Sequence, residues 1–109
     1  MATKANILID QGSTYTTDLN LTDENGDALN LSGYSANSQI RKHYTSSNSV
    51  TFSTSINAVA GVITLSLTAN QTSNLISGRY VYDVELTDAS NSVSRIVEGI
   101  VTVTPQVTR

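Results

Sequence analysis

Any histidine-assisted nucleophile in this 109-residue chain would have to use His43, its sole histidine. His43 follows Arg41-Lys42 and precedes a Ser-rich stretch from Thr45 to Ser49. A triad base must be fixed by a third group, so an exposed loop imidazole is the expectation there. With no cysteine anywhere, thiolate metal sites, cysteine nucleophiles and disulfides are ruled out. Asp23, Asn25 and Asp27 alternate around Gly26 like part of a calcium loop. The twelfth position, where such loops carry a bidentate glutamate, holds Tyr34 instead, so the segment reads as a hairpin tip. Asp83 and Glu85 share one strand face, with Glu98 on a neighbouring strand. Paired carboxylates hydrolyse glycosides only in a cleft with an aromatic sugar platform. The chain has five Tyr, one Phe and no Trp, and Arg79 and Arg95 stand ready as cross-strand partners. A salt-bridged outer face is expected, with no catalytic residue, no metal and no cofactor.

The positioning elements must be strands. Thr and Val are abundant, and branched side chains suit a pleated surface. Apolar and polar residues alternate along most of the chain, the period of half-buried strands. A first strand is expected at Ile7-Leu8-Ile9. A second carries Tyr15, Thr17, Leu19 and Leu21 on one face. Asn25-Gly26 marks a hairpin turn, because both residues tolerate positive φ. From Tyr34 the alternation resumes, with Tyr34, Ala36, Ser38 and Ile40 on one side. Val50, Phe52, Thr54 and Ile56 form the inward side of the next strand, and Ile63, Leu65 and Leu67 return it.

Thr68-Ala69-Asn70-Gln71 then reads as a capping box, opening a helical crossover near residues 68–76 that buries Leu75 and stops before Gly78. Gly78 to Leu86 is the strongest strand, with Tyr80, Tyr82, Val84 and Leu86 facing one way. Val93 to Val103 is the last, Gly99 suggests a bulge within it, and Pro105 closes it. Seven or eight strands at regular spacing define an all-β antiparallel sandwich filling residues 1–109 as one domain. Tyr80, following a glycine-ended crossover, looks like the tyrosine corner of immunoglobulin-like sandwiches.

Composition narrows the partners. A formal charge of -3 with no basic cluster beyond Arg41-Lys42 argues against nucleic acid. Apolar runs of about five residues fall far short of the roughly 20 that cross a bilayer. Residues Met1 to Asn6 show no secretory signal, so synthesis in a cytoplasm is expected, unless processing has already removed a leader. The sequons at Asn20, Asn30 and Asn70 are chance matches in a chain rich in Asn, Ser and Thr.

Ile9-Asp10-Gln11-Gly12-Ser13-Thr14, then Asp23 to Tyr34, Ser38 to Lys42, Gly61 to Thr68 and Gly78 to Val84 follow one another in an order that resembles small immunoglobulin-like structural proteins of tailed bacteriophages, T4-like cyanophages included. The resemblance covers nearly the whole chain and rests on turn and core positions. It implies an immunoglobulin-like sandwich in the virion, present in multiple copies, as a head decoration protein or a neck, tail or baseplate accessory. Its partners would be other virion proteins or further copies of itself, with no membrane, nucleic acid or small-molecule substrate. Candidate contacts are Ile7, Leu8 and Ile9 in an exposable strand, Tyr44 beside the Ser-rich loop, and Val107 after Pro105. The competing reading, a carbohydrate- or host-surface-binding module, predicts an exposed aromatic shelf and fails if Tyr15, Tyr34, Tyr44, Tyr80 and Tyr82 all prove buried.

Overall fold

The computed structural model describes residues 3–22, 25–43, 45–47 and 49–107. Its strands are β1 (Thr3–Lys4), β2 (Ile7–Asp10), β3 (Tyr15–Asn20), β4 (Ser35–Arg41), β5 (Val50–Thr51), β6 (Ser53–Asn57), β7 (Val62–Leu67), β8 (Gly78–Thr87) and β9 (Val93–Thr104). One short helix, α1 (Ala69–Ser73), connects β7 to β8. The larger sheet runs β1-β9-β8-β4-β5, with β2 continuing the β1 edge along β9; the smaller runs β3-β7-β6. β8 and β9 form a long antiparallel hairpin, whereas β1 and β2 lie parallel to β9. The chain alternates between the sheets in a Greek-key order, an immunoglobulin-like β-sandwich.

Alternation decides what fills the space between the sheets. Ile63, Leu65 and Leu67 of β7 face Ile40, Tyr82, Val84, Leu86, Val97, Val101 and Val103 of the larger sheet, and all are buried. Phe52 sits between β5 and β6, where the chain leaves one sheet for the other. Its ring lies 6.4 Å from that of Tyr15 in the smaller sheet and 6.2 Å from that of Tyr82 in the larger. The single strand expected from Val50 to Ile56 is therefore two, and Thr54, expected inward, is exposed, its hydroxyl donating to the Ala36 carbonyl. A chain changing sheets cannot keep one alternation, because its inward direction rotates at the corner.

The capping box forms as expected. Thr68 Oγ1 accepts from the Gln71 amide, and the Gln71 side chain accepts from the Thr68 amide. Helix α1 is short but tied down. Thr72 is fully buried, its hydroxyl donating to the Ser13 carbonyl while accepting from the Gly12 amide. Gln11 Nε2 donates to the Leu75 carbonyl, and its Oε1 accepts from the Gln106 amide. The Gln11-Gly12-Ser13 break thus locks one end of the sandwich to the crossover and to the residues after β9.

The bulge expected at Gly99 lies elsewhere. Register shifts between Val84 and Glu85, opposite Val97 and Arg95, so the extra residue is Ile96. Gly99 has another use. A Cβ there would collide with the Ala5 carbonyl, because the chain between β1 and β2 presses onto β9 at that point. Gly99→Ala should therefore cost about 1–3 kcal/mol, the usual range for overpacking, read as a lowered denaturation midpoint with an unchanged m-value.

Candidate functional site

The outer face of the larger sheet sets exposed apolar side chains, Leu8 and Ile100, among ordered charges. Inward residues of β8 and β9 alternate with Arg79, Val81, Asp83 and Glu85 on one strand, and with Glu98, Ile100, Thr102 and Thr104 on the other. Register sets Arg79, Thr102 and Leu8 on one level; Val81 and Ile100 on the next; then Gln39, Asp83, Glu98 and Lys4. Leu8 is 62% exposed and Ile100 39%, and with Val81 they make an apolar diagonal across three adjacent strands. Beside the diagonal lies a shallow hollow of about 350 Å³, bordered by Gln39, Arg41, Val81, Asp83, Arg95 and Glu98.

Charges on this face are held. Arg95 Nε lies 3.4 Å from Asp83 Oδ2, and its Nη1 3.2 Å from Glu98 Oε2. The expected cross-strand salt bridge is formed by Arg95, whereas Arg79 sits opposite Thr102 and makes no ion pair among the described residues. Arg41 donates to Gln39 Oε1 at 2.9 Å and to the Ser46 carbonyl at 2.6 Å. Exposed pairs of this kind add little stability but fix the positions of charges. Two of the three carboxylates beside the hollow, Asp83 and Glu98, are clasped by one guanidinium, while Glu85 is the third, an arrangement suited to docking a polar surface.

The strand carrying Leu8 is positioned by polar bonds from the core. Tyr82, buried beneath it, donates its hydroxyl to the Ala5 carbonyl at 2.6 Å. Ala5 in turn donates to the Glu98 carbonyl, and Asn6 Oδ1 accepts from the Ile100 amide. Burial, reinforced by the neighbouring Tyr15, pushes the Tyr82 hydroxyl up to about 12. The corner tyrosine is also present, Tyr80 donating to the Ile76 carbonyl at 2.6 Å while Lys42 Nζ stands 4.8 Å from its ring centroid.

Of the contacts expected from sequence, Leu8 alone among the first three is well exposed. Ile7 is half-buried, and Ile9, at 0% exposure, is a core residue, a correction that follows from β2 pairing along β9 with Ile9 opposite Val103. Val107 is 92% exposed at the opposite end of the molecule from the turn joining β8 to β9. Tyr44 lies outside the described residues, as do Asp23 and Glu24 of the hairpin tip. His43 is exposed, and no ion pair or hydrogen bond joins its ring to a carboxylate among the described residues. Ile100 was missed, although its alternation with buried Val101 and Val103 turns it outward; the bulge assigned to Gly99 hid that parity.

No family model matches the chain, and no curated protein sequence matches it. Among solved structures it superposes on the Listeria monocytogenes internalin-like protein lmo2027 with a TM-score of 0.52 and 23% identity. The likeness is one of fold. It covers 94% of this chain and 28% of that one, so the chain spans well under a third of its structural neighbour.

Tyr82 gives the site a pH signature. Its folded value lies above the ordinary 10.0, so its contribution is complete below pH 10 and is lost as pH rises toward 12. Thermal melts should therefore show a decline across pH 10–12 that is shallower in Tyr82→Phe. At neutral pH that variant should lose about 1 kcal/mol with the hydroxyl bond to Ala5.

Proposed function

We propose that the chain is a non-catalytic structural module of a bacteriophage particle, present in several copies and docking on other virion proteins through the outer face of its larger sheet. The observation that carries this reading is the apolar diagonal of Leu8, Ile100 and Val81 set within an ordered array of charges. A flat sheet surface with a small apolar centre and a polar rim has the anatomy of a protein–protein contact. The chain as a whole is rich in short Ser, Thr and Asn side chains, which lose little rotamer entropy where they dock, and repeated copies multiply a weak single contact. The sequence order of turns and core positions, similar to that of phage sandwich proteins, supports the virion setting.

The carbohydrate-binding alternative needs an aromatic shelf. Tyr82 is buried; Tyr15, Tyr34 and Tyr80 are half-buried, Tyr15 packing on Phe52, Tyr34 on the core, and Tyr80 forming the corner bond. These four do not supply one.

Electron microscopy of particles carrying a tagged chain should place it at a repeated position on head, neck, tail or baseplate. The double variant Leu8→Ser, Ile100→Ser should fold yet enter particles at least about tenfold less well, as expected when central apolar contacts worth 1–2 kcal/mol are removed. Purified particles that lack the chain would defeat the virion assignment, and full incorporation of the double variant would defeat the choice of face.

A further inference from the structure

A different surface carries an assembly contact of its own. In the smaller sheet β3 pairs only with β7, and no described strand lies on its other side. The Leu21 amide is turned toward Gly61, and the ladder pairs Leu19 with Ile63, Thr17 with Leu65 and Tyr15 with Leu67. Period two therefore turns the main-chain groups of Tyr15, Thr17 and Leu19 toward β7, and those of Thr16, Asp18 and Asn20 outward to the open edge. The core also has an unfinished flank here. Tyr15, Thr17 and Leu19 are half-buried, whereas their β7 partners Leu67, Leu65 and Ile63 are sealed.

Proteins ordinarily blunt such an edge with proline, lysine, a bulge or extreme shortness. β3 has six residues in regular register and contains no proline or lysine. Its single charge, Asp18, accepts a hydrogen bond from Thr64 Oγ1 at 2.7 Å, on the β7 side and away from the edge.

The strand also matches itself. About Thr17, the neighbours at one step are Thr16 and Asp18, and at two steps Tyr15 and Leu19. We infer that β3 pairs antiparallel with β3 of a second copy, across a two-fold axis at Thr17, joining the two small sheets into one of six strands. In this register Thr16 faces Asp18 of the other copy as a hydrogen-bonded pair, twice over. Tyr15 covers Leu19 of the other copy on the inner side, an aromatic–aliphatic cross-strand pair. A one-residue slip would turn the apolar set to solvent. A two-residue slip would put the two Asp18 carboxylates directly opposite each other at the axis, where like charges repel. The opposite two-residue slip, with Thr16 at the axis, keeps the pleat but sets Leu19 against Ser13 and loses the Tyr15–Leu19 pair, so Thr17 marks the register that best satisfies pleat, charge and apolar cover together.

The absence of cysteine makes the register measurable. In the inferred pairing the two Thr17 residues form the non-hydrogen-bonded pair at the axis, with Cα atoms about 4.5 Å apart, within the span a disulfide bridges. Sedimentation of the intact protein should show a concentration-dependent dimer. Thr17→Cys should oxidise to a disulfide-linked dimer at least tenfold faster than Asp18→Cys. Thr16→Pro removes only an outward amide, which an edge strand tolerates, and should melt like the parent at concentrations too low for the parent to dimerise, yet sediment as a monomer where the parent is a dimer. Leu8→Ser should remain dimeric, which separates this contact from the docking face of the larger sheet. A parent chain that stays monomeric while Thr17→Cys stays reduced would overturn the pairing, as would faster cross-linking at Asp18→Cys or a persistent Thr16→Pro dimer.

Discussion

The sandwich depends on what Phe52 does at the corner where the chain changes sheets. A charge-poor domain with one phenylalanine and no tryptophan has few large side chains with which to bridge two sheets. Phe52 is 2% exposed and touches an aromatic ring from each layer, Tyr15 on one side and edge-on Tyr82 on the other. The three rings lie across the interior, and the aliphatic rows of β7, β8 and β9 close around them. Since the Phe52 amide also donates to the Ser38 carbonyl, the residue fixes the corner's main chain as well as its packing.

Hydroxyl groups do much of the remaining joining. Ser38 donates to the Asp83 carbonyl, Thr72 to Ser13, Tyr80 to Ile76 and Tyr82 to Ala5, each linking a side chain to a main-chain oxygen in another segment or turn. No buried side-chain polar atom among the described residues is left without a partner. Such bonds are each worth about 1 kcal/mol net, but an unmatched buried donor costs more, so they act chiefly by excluding other arrangements. This gives the abundance of Ser and Thr a structural sense. A loop that meets a helix, or an edge segment that meets a core strand, is held where lysine and glutamate pairs would be too long.

Period-two patterning made the strands, the crossover helix and the tyrosine corner legible from sequence, because each is a local consequence of side-chain chemistry at fixed spacing. What could not be read locally were events that depend on a neighbouring strand. The split at Phe52 arises from a sheet change, the bulge at Ile96 from the register against Val84, and the need for glycine at position 99 from Ala5 passing over it. The same limit applied to the candidate surface. Leu8 was recognisable as an apolar residue in an exposable strand, but its alignment with Ile100 and Val81 required β2 to lie parallel on β9. Ile9 shows the converse, since one step along the strand turns the side chain from solvent into the core.

That parallel pairing also has a mechanical side. β2 and β9 point the same way, so the start of β2 at Ile7 and the end of β9 at Thr104 lie at opposite ends of the shared ladder. Tension applied between those points would run along the strands, loading the rungs from Ile7–Val101 to Asp10–Thr104 together in shear. An unzipping geometry would break them one at a time. β2 therefore serves as a clasp that resists stretching along the sheet.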